Sequence, residues 1–292
     1  MSKKLTIKDM VKKVNGKDKL SDVWHEFRSK EIGLQELMLQ LWHNPAGYSL
    51  PVFLLGCGRS GTTMLVQQLN KSWQVKLYNE DHPAAFQNWT LRDLNTIEEL
   101  IGRSFAPVTL FKPILDTYRA RILLSGFPEA KVLFAFRHYE DVINSLLRFE
   151  KKRKMRKRLS LVESWIIEDF EQFSLAPLPE RTKDFIKIRW NNSLSQESGA
   201  ALWWLFYNSL FFDLELHLDK RVKIVHYGSV VSEPQKEFRK LCSFIDIQFE
   251  ISMIEGIYSS SVKRYPAPEI DHQIREDCRI LWQRLRDLAA QA

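Results

Sequence analysis

The sequence predicts an α/β fold, a parallel β-sheet flanked by helices, with an N-terminal helical extension in front of it. Three observations carry this. Short apolar runs at 51–55, 108–112, 131–136 and 222–227 alternate with stretches of helical periodicity. The first run leads directly into a glycine-rich turn and then a helical pattern, the order of a phosphate-binding loop. Residues 1–48 lack such runs and repeat apolar residues at roughly helical spacing.

Taken in order, Leu20, Val23, Trp24, Phe27, Ile32, Leu34, Leu37, Met38 and Leu41 mark helix within 1–48, with a break near Gly33. Asn44-Pro45-Ala46-Gly47 ends it. PVFLL (51–55) is the first strand, and a short strand candidate follows its helix. VTLFK (108–112) and KVLFAF (131–136) are strands with helices from about Leu115 and Glu140. Residues 193–218 read as one long buried helix capped by Ser193 or Ser195, whose Trp203, Trp204, Phe206, Tyr207, Phe211 and Phe212 are core or an aromatic wall. VKIVHY (222–227) and a helix near 233–246 complete the alternation. In such sheets ligands bind at the carboxyl ends of the strands. That is where Gly56–Thr63, Lys112, Arg137 and Tyr227 would gather.

The chain's 292 residues, 45% hydrophobic and 12% aromatic, suffice for one large core or two small ones. Charged residues at 27% argue against global disorder. The net charge of +7 suits an anionic ligand or surface without naming it. Cys57, Cys242 and Cys278 form no C-x-x-C pair, so neither a zinc ribbon nor a disulfide framework is indicated. The charged N-terminus has no apolar signal core, and no run of about 18 apolar residues occurs. The expectation is a cytoplasmic globular protein.

FLLGCGRSGTTMLVQQL (53–69) has the glycine spacing of a P-loop at Gly56 and Gly61. The lysine slot holds Thr62, and the nearest cation is Arg59. Backbone N–H groups and the helix N-terminus attract an anion there. Ser60, Thr62 and Thr63 add hydroxyls, Gly61 allows the turn, and the Arg59 fork matches a tetrahedral oxyanion. The loop is complete for an anion but not for Mg-ATP.

GRSGTTML (58–65) resembles the 5′-phosphosulfate loop of the sulfotransferases that use 3′-phosphoadenosine 5′-phosphosulfate (PAPS). KVLFAFRHYEDVINSLLRF (131–149) is similar to that family's 3′-phosphate motif, with Arg137, Asp141-Val142 and, eight residues after the arginine, Ser145. An arginine at a strand end and a serine two turns into the next helix can grip one phosphate. VHYGSVVSEP (225–234) looks like the family's Tyr-Glu-Asp-Leu segment, with Tyr227 aligned but Gly228-Ser229 replacing the acids. That places Tyr227 near an adenine. SSSVKRY (259–265) sits where the family folds a basic loop over the 3′-phosphate, which points to Lys263 and Arg264. The resemblance implies a sulfotransferase domain over 49–292, a P-loop-like nucleotide-binding core, and PAPS as donor with 3′-phosphoadenosine 5′-phosphate (PAP) as product.

Many family members carry Lys-Thr-His after their second strand, the histidine acting as base. This chain has Lys112-Pro113-Ile114, so the histidine is missing while Lys112 remains to assist the leaving group. Other branches place a glutamate where LYNEDHPAAF (77–86) lies, making Glu80 the first candidate base, with His82 and Asp81 beside it. No metal is needed, since side chains and backbone N–H groups supply the charge. KKRKMRKR (151–158) is either a solvated helix end or a docking surface for an anionic glycan or lipid acceptor. Without interleaved aromatics or a nucleic-acid motif, nucleic acid is the weakest reading. Small-molecule, glycan and lipid acceptors stay open. So do two rivals: an ATP-dependent P-loop kinase, and a nucleotide binder without catalysis.

Overall fold

The computed structural model describes residues 33–153, 162–163, 177–260, 262 and 264–291. The elements in chain order are α1 (Leu34–His43), β1 (Leu50–Gly56), α2 (Thr62–Leu69), β2 (Val75–Tyr78), the hairpin strands β3 (Phe86–Gln87) and β4 (Thr90–Leu91), and α3 (Leu94–Arg103). Then come β5 (Val108–Phe111), a 3-10 turn (Ile114–Arg119), α4 (Ala120–Gly126), β6 (Lys131–Phe136) and α5 (Tyr139–Arg153). The chain ends with α6 (Glu180–Arg189), α7 (Gln196–Asp213), β7 (Val222–His226), α8 (Tyr227–Ser232), α9 (Pro234–Phe244) and α10 (His272–Gln291).

Five strands form a sheet in the order β2-β5-β1-β6-β7, every neighbouring pair parallel. β1 is buried along its whole length, which is why it reads as an unbroken apolar run. Its alternate side chains serve different cores. Phe53 and Leu55 join the cluster beneath α5, α7 and α10, while Val52 and Leu54 join the one with α2 and α9. From β1 the chain winds to one side through β2 and β5, then crosses to β6 and β7 on the other. The carboxyl end of β1 is therefore the switch point where α/β folds bind ligands.

The four strands read from sequence are present within a residue of their expected ends. Ser195 is the cap of α7, its hydroxyl accepting from Ser198 N. That helix ends at Asp213 rather than 218, because Glu215 turns left-handed (φ 52) and starts a separate turn. Trp203, Trp204, Phe206, Tyr207 and Phe211 are buried, so they are core. α10 adds a long amphipathic helix whose Ile274, Cys278, Leu281 and Leu285 are buried. Among the described residues no helix is long and apolar enough to cross a membrane. Most of 1–48 and of the basic run 151–158 lies outside the described residues.

Candidate active site

The segments after the carboxyl ends of β1, β2, β5, β6 and β7 each carry at least one of the expected residues. β1 ends at Gly56 (φ 125), where an added Cβ would lie 2.2 Å from Ala135 O on β6. Only glycine lets the strand turn out of the sheet this close to its neighbour. The loop that follows is fastened from below by Thr117, whose Oγ1 accepts from Gly56 N at 3.0 Å. Arg59 is left-handed (φ 71), and Gly61 (φ 84) caps α2. The Thr62 side chain is buried, Thr63 is exposed, and Ser60 is fully buried with no hydrogen-bond partner for its Oγ.

Arg59 does not fold back over its own loop. Its Nε donates to Ser145 Oγ at 3.1 Å, and its Cζ lies 4.8 Å from the centroid of the Phe149 ring. Ser145 and Phe149 are four residues apart on α5 and so share a face. The glycine-rich loop and the Arg137–Ser145 segment, far apart in sequence, are thus in direct contact.

Arg137, at the end of β6, is nine-tenths buried and paired with Asp141 at 3.3 Å. Its guanidinium stands 4.6 Å from the Tyr227 ring, and its carbonyl accepts from Trp204 Nε1 at 3.0 Å. Tyr227 in turn covers the loop. An added Cβ on Gly61 would lie 2.1 Å from Tyr227 Cδ2, so the ring rests on the glycine's backbone. Beside it, His226 stacks on Phe136 (5.1 Å) and meets Trp282 edge-on (5.1 Å). Burial, with His138 and Arg286 nearby, pushes its pKa down to about 4.

On the other side of β1, Tyr78 and Phe111 are paired in register. One residue past Phe111 and two past Tyr78, Lys112 Nζ and Glu80 Oε1 meet at 3.1 Å, the lysine buried and the glutamate partly exposed. Parallel pairing thus joins two residues more than thirty positions apart. His82 faces elsewhere. It packs edge-on against Tyr78 at 4.8 Å, its Nδ1 accepts from Ala84 N, and it lines a separate cavity of about 250 Å³ with Gln40 and Lys76. Asp81 accepts from Asn79 Nδ2 at 2.8 Å.

The segment after 259 docks on α5. Asn144 Nδ2 donates to Pro266 O at 3.0 Å, and Arg148 donates to Tyr265 Oη at 2.8 Å while stacking on its ring. Arg264 lies 5.5 Å from that ring, and Lys263 is outside the described residues. Sequence reasoning missed Thr117, Phe149, Arg148 and Tyr265 as builders of this edge. Each acts through a tertiary contact that no local pattern announces.

A family model described as the sulfotransferase domain matches residues 50–266, well over half the chain. The chain belongs to the sulfotransferase family. Three solved sulfotransferase structures are similar to it. A sulfotransferase from Alicyclobacillus acidocaldarius aligns at 15% identity and TM-score 0.48, covering 82% of this chain and 94% of that one. The sulfotransferase domain from the curacin biosynthetic pathway aligns at 15% identity and TM-score 0.48, covering 82% and 98%. A mouse sulfotransferase, SULT7A1, complexed with PAP aligns at 14% identity and TM-score 0.44, covering 73% and 64%. A search of the curated proteins finds no match. Among the described residues no cluster of three His, Cys, Asp or Glu side chains is arranged to hold a metal ion.

Proposed function

We propose that this sulfotransferase moves the sulfuryl group from PAPS to a hydroxyl or amine of an acceptor by in-line displacement. The observation that supports the reading is the contact between Arg59 and Ser145, which joins the glycine-rich loop to the segment carrying Arg137 and Ser145. Two separate phosphate positions are what a 3′-phosphorylated donor needs and ATP does not. The buried, unpartnered Ser60 hydroxyl fits the loop to an oxyanion. When bound, PAPS supplies a sulfuryl group whose bond to the 5′-phosphate breaks as the acceptor's bond to sulfur forms.

In this reading the loop residues Arg59, Ser60, Gly61, Thr62 and Thr63 hold the 5′ end. Arg137 and Ser145 hold the 3′-phosphate, joined by Lys263 and Arg264, and Tyr227 borders the adenine. Glu80 takes the proton of the acceptor, and Lys112 balances charge on the departing phosphate. Their mutual contact at 3.1 Å supports giving them paired roles. The catalytic unit is 49–292, with 1–48 as an extension, and no metal takes part. All three cysteines are buried thiols, which suits the cytoplasm. The acceptor is a small molecule, glycan or lipid, with 151–158 offering a surface for anionic ones.

Calorimetry with PAP and with ATP–Mg tests this. Micromolar binding of PAP without magnesium is expected. Tight ATP–Mg binding with none of PAP overturns the proposal.

A further inference from the structure

A cavity of about 350 Å³ opens between α6, α7 and α10. Phe185 and Ile188 of α6, Leu205 and Phe212 of α7, and Ile280 and Leu281 of α10 line it. Phe185 and Ile188 are three residues apart and Leu205 and Phe212 seven, so each helix turns one apolar stripe to the same space. The core does not account for all of them. Ile186 is fully buried on the core side of α6, while Ile188 is 73% and Ile280 47% exposed. Single exposed apolar residues are ordinary, but several around one concavity mark a binding site. The volume and the lining are those of a small-molecule pocket, at the lower end of the usual range. None of the residues named for the candidate active site lines it.

The charged residues around this space are unequally satisfied. Asp277 accepts from Arg189 Nε at 2.6 Å and from its Nη2 at 3.3 Å, so a guanidinium fork already holds this carboxylate. Asp213 accepts from Thr182 Oγ1 at 2.6 Å and stands 3.6 Å from Arg181 Nε. Arg284 differs. Its guanidinium lies 4.0 Å from the centroid of the Phe212 ring, and among the described residues no carboxylate pairs with it. A ring face fixes where a guanidinium stands without cancelling its charge. Three arginines thus meet two aspartates here, and Arg284, an exposed residue, sets the surplus charge at the rim of an apolar cavity.

We propose that this cavity binds a single-chain amphiphile, its aliphatic chain between the three helices and its anionic head, carboxylate or sulfate, on Arg284. The planar fork of an arginine suits either head. A cationic head would meet Arg284 and Arg181 and find both aspartates already engaged. The volume suits one chain of moderate length and not a two-chain lipid. This site goes beyond the sulfuryl-transfer reading and does not depend on it.

The test titrates the full chain calorimetrically with decanoate, decyl sulfate and decyltrimethylammonium, each below its micelle concentration, with and without PAP. One anion per chain is expected, with a Kd of about 1–100 μM and a raised Tm, and the cation at least about tenfold weaker. The tighter of the two anions identifies the head. Arg284→Gln should weaken both anions about tenfold and leave the cation no weaker. Ser209→Leu adds bulk to the α7 wall at a residue whose hydroxyl donates only within its own helix, to Phe206 O at 3.0 Å. It should weaken both anions at least about tenfold, and PAP should change them less than about twofold. Should Ser209→Leu fail to fold, Arg284→Gln, a surface change, decides alone. No saturable binding of either anion overturns the proposal. So do equal affinity for the cation, undiminished affinity in Arg284→Gln, or displacement by PAP. A ligand-free dimer, seen by sedimentation, that excludes both anions would give the groove to a second copy and overturns it as well.

Discussion

Arg59 Nε donates to Ser145 Oγ at 3.1 Å, across 86 residues of sequence. The loop's cation is therefore seated on the α5 serine that the proposed function assigns to the 3′-phosphate. Ser145→Ala removes this seat and, on that proposal, one donor to the 3′-phosphate. A hydrogen bond to a charged group contributes about 1.5–3 kcal/mol, so PAP affinity should fall at least about tenfold. Adenosine 5′-phosphate, which lacks the 3′ group, should bind the variant nearly as well as the parent. Calorimetry with the two nucleotides checks this, and an equal loss for both would place Ser145 outside the 3′ site.

Glu80 and Lys112 make the second prediction. Glu80→Gln keeps a similar shape and a hydrogen-bonding oxygen for Lys112 but cannot take a proton. Turnover should drop about 10²–10⁴-fold, the usual worth of a positioned base. PAP affinity should stay within about twofold. The measurement is transfer of label from PAPS to an acceptor, beside PAP calorimetry. Undiminished turnover would move the base role to His82 or Asp81.

Much of this was legible in the sequence, for a local reason. The strand runs, the loop at 56–63 and the Arg137–Ser145 spacing depend on neighbours along the chain, and apolar runs in a sheet covered on both faces leave a plain signal. The partners of these residues were not legible. That Glu80 meets Lys112 follows from β2 pairing with β5 in register, a fact of sheet order. His82, two residues on, turns to Tyr78 because the chain bends there. The long helix α10 does show its apolar spacing at Ile274, Cys278, Leu281 and Leu285, diluted by many charged neighbours.

Gly61 makes the third prediction. With φ 84 and the Tyr227 ring against its Cα, an alanine there is strained and clashes at 2.1 Å. Either the loop or Tyr227 must shift, at a cost of about 1–3 kcal/mol. Gly61→Ala should lower Tm and weaken PAP together. Tyr227→Ala costs stability of its own but removes the clash, so the loss in Tm of the double variant should be smaller than the two single losses added. Full independence of the two substitutions would show that the ring does not rest on the loop.

The last prediction concerns acid. His226 has its pKa pushed down from 6.5 to about 4, chiefly by burial among Phe136, Trp282 and the Ser229 hydroxyl, with His138 and Arg286 adding repulsion. A histidine with a lowered folded pKa binds its proton more readily once unfolded. The unfolded state therefore gains as pH falls below about 6.5, and the folded state loses stability steadily until about pH 4, where both forms are protonated. Above about pH 7 the contribution is flat. His226→Phe keeps an aromatic ring beside Phe136 and Trp282 and removes the titration, though it gives up the contact to Ser229. The difference in Tm between variant and parent should therefore shift in favour of the variant as pH is lowered from 7 to 4.5, and stay constant from 7 to 8. Thermal melts across that range decide it. Parallel curves throughout would mean that His226 takes up its proton in the folded protein as easily as in the unfolded chain.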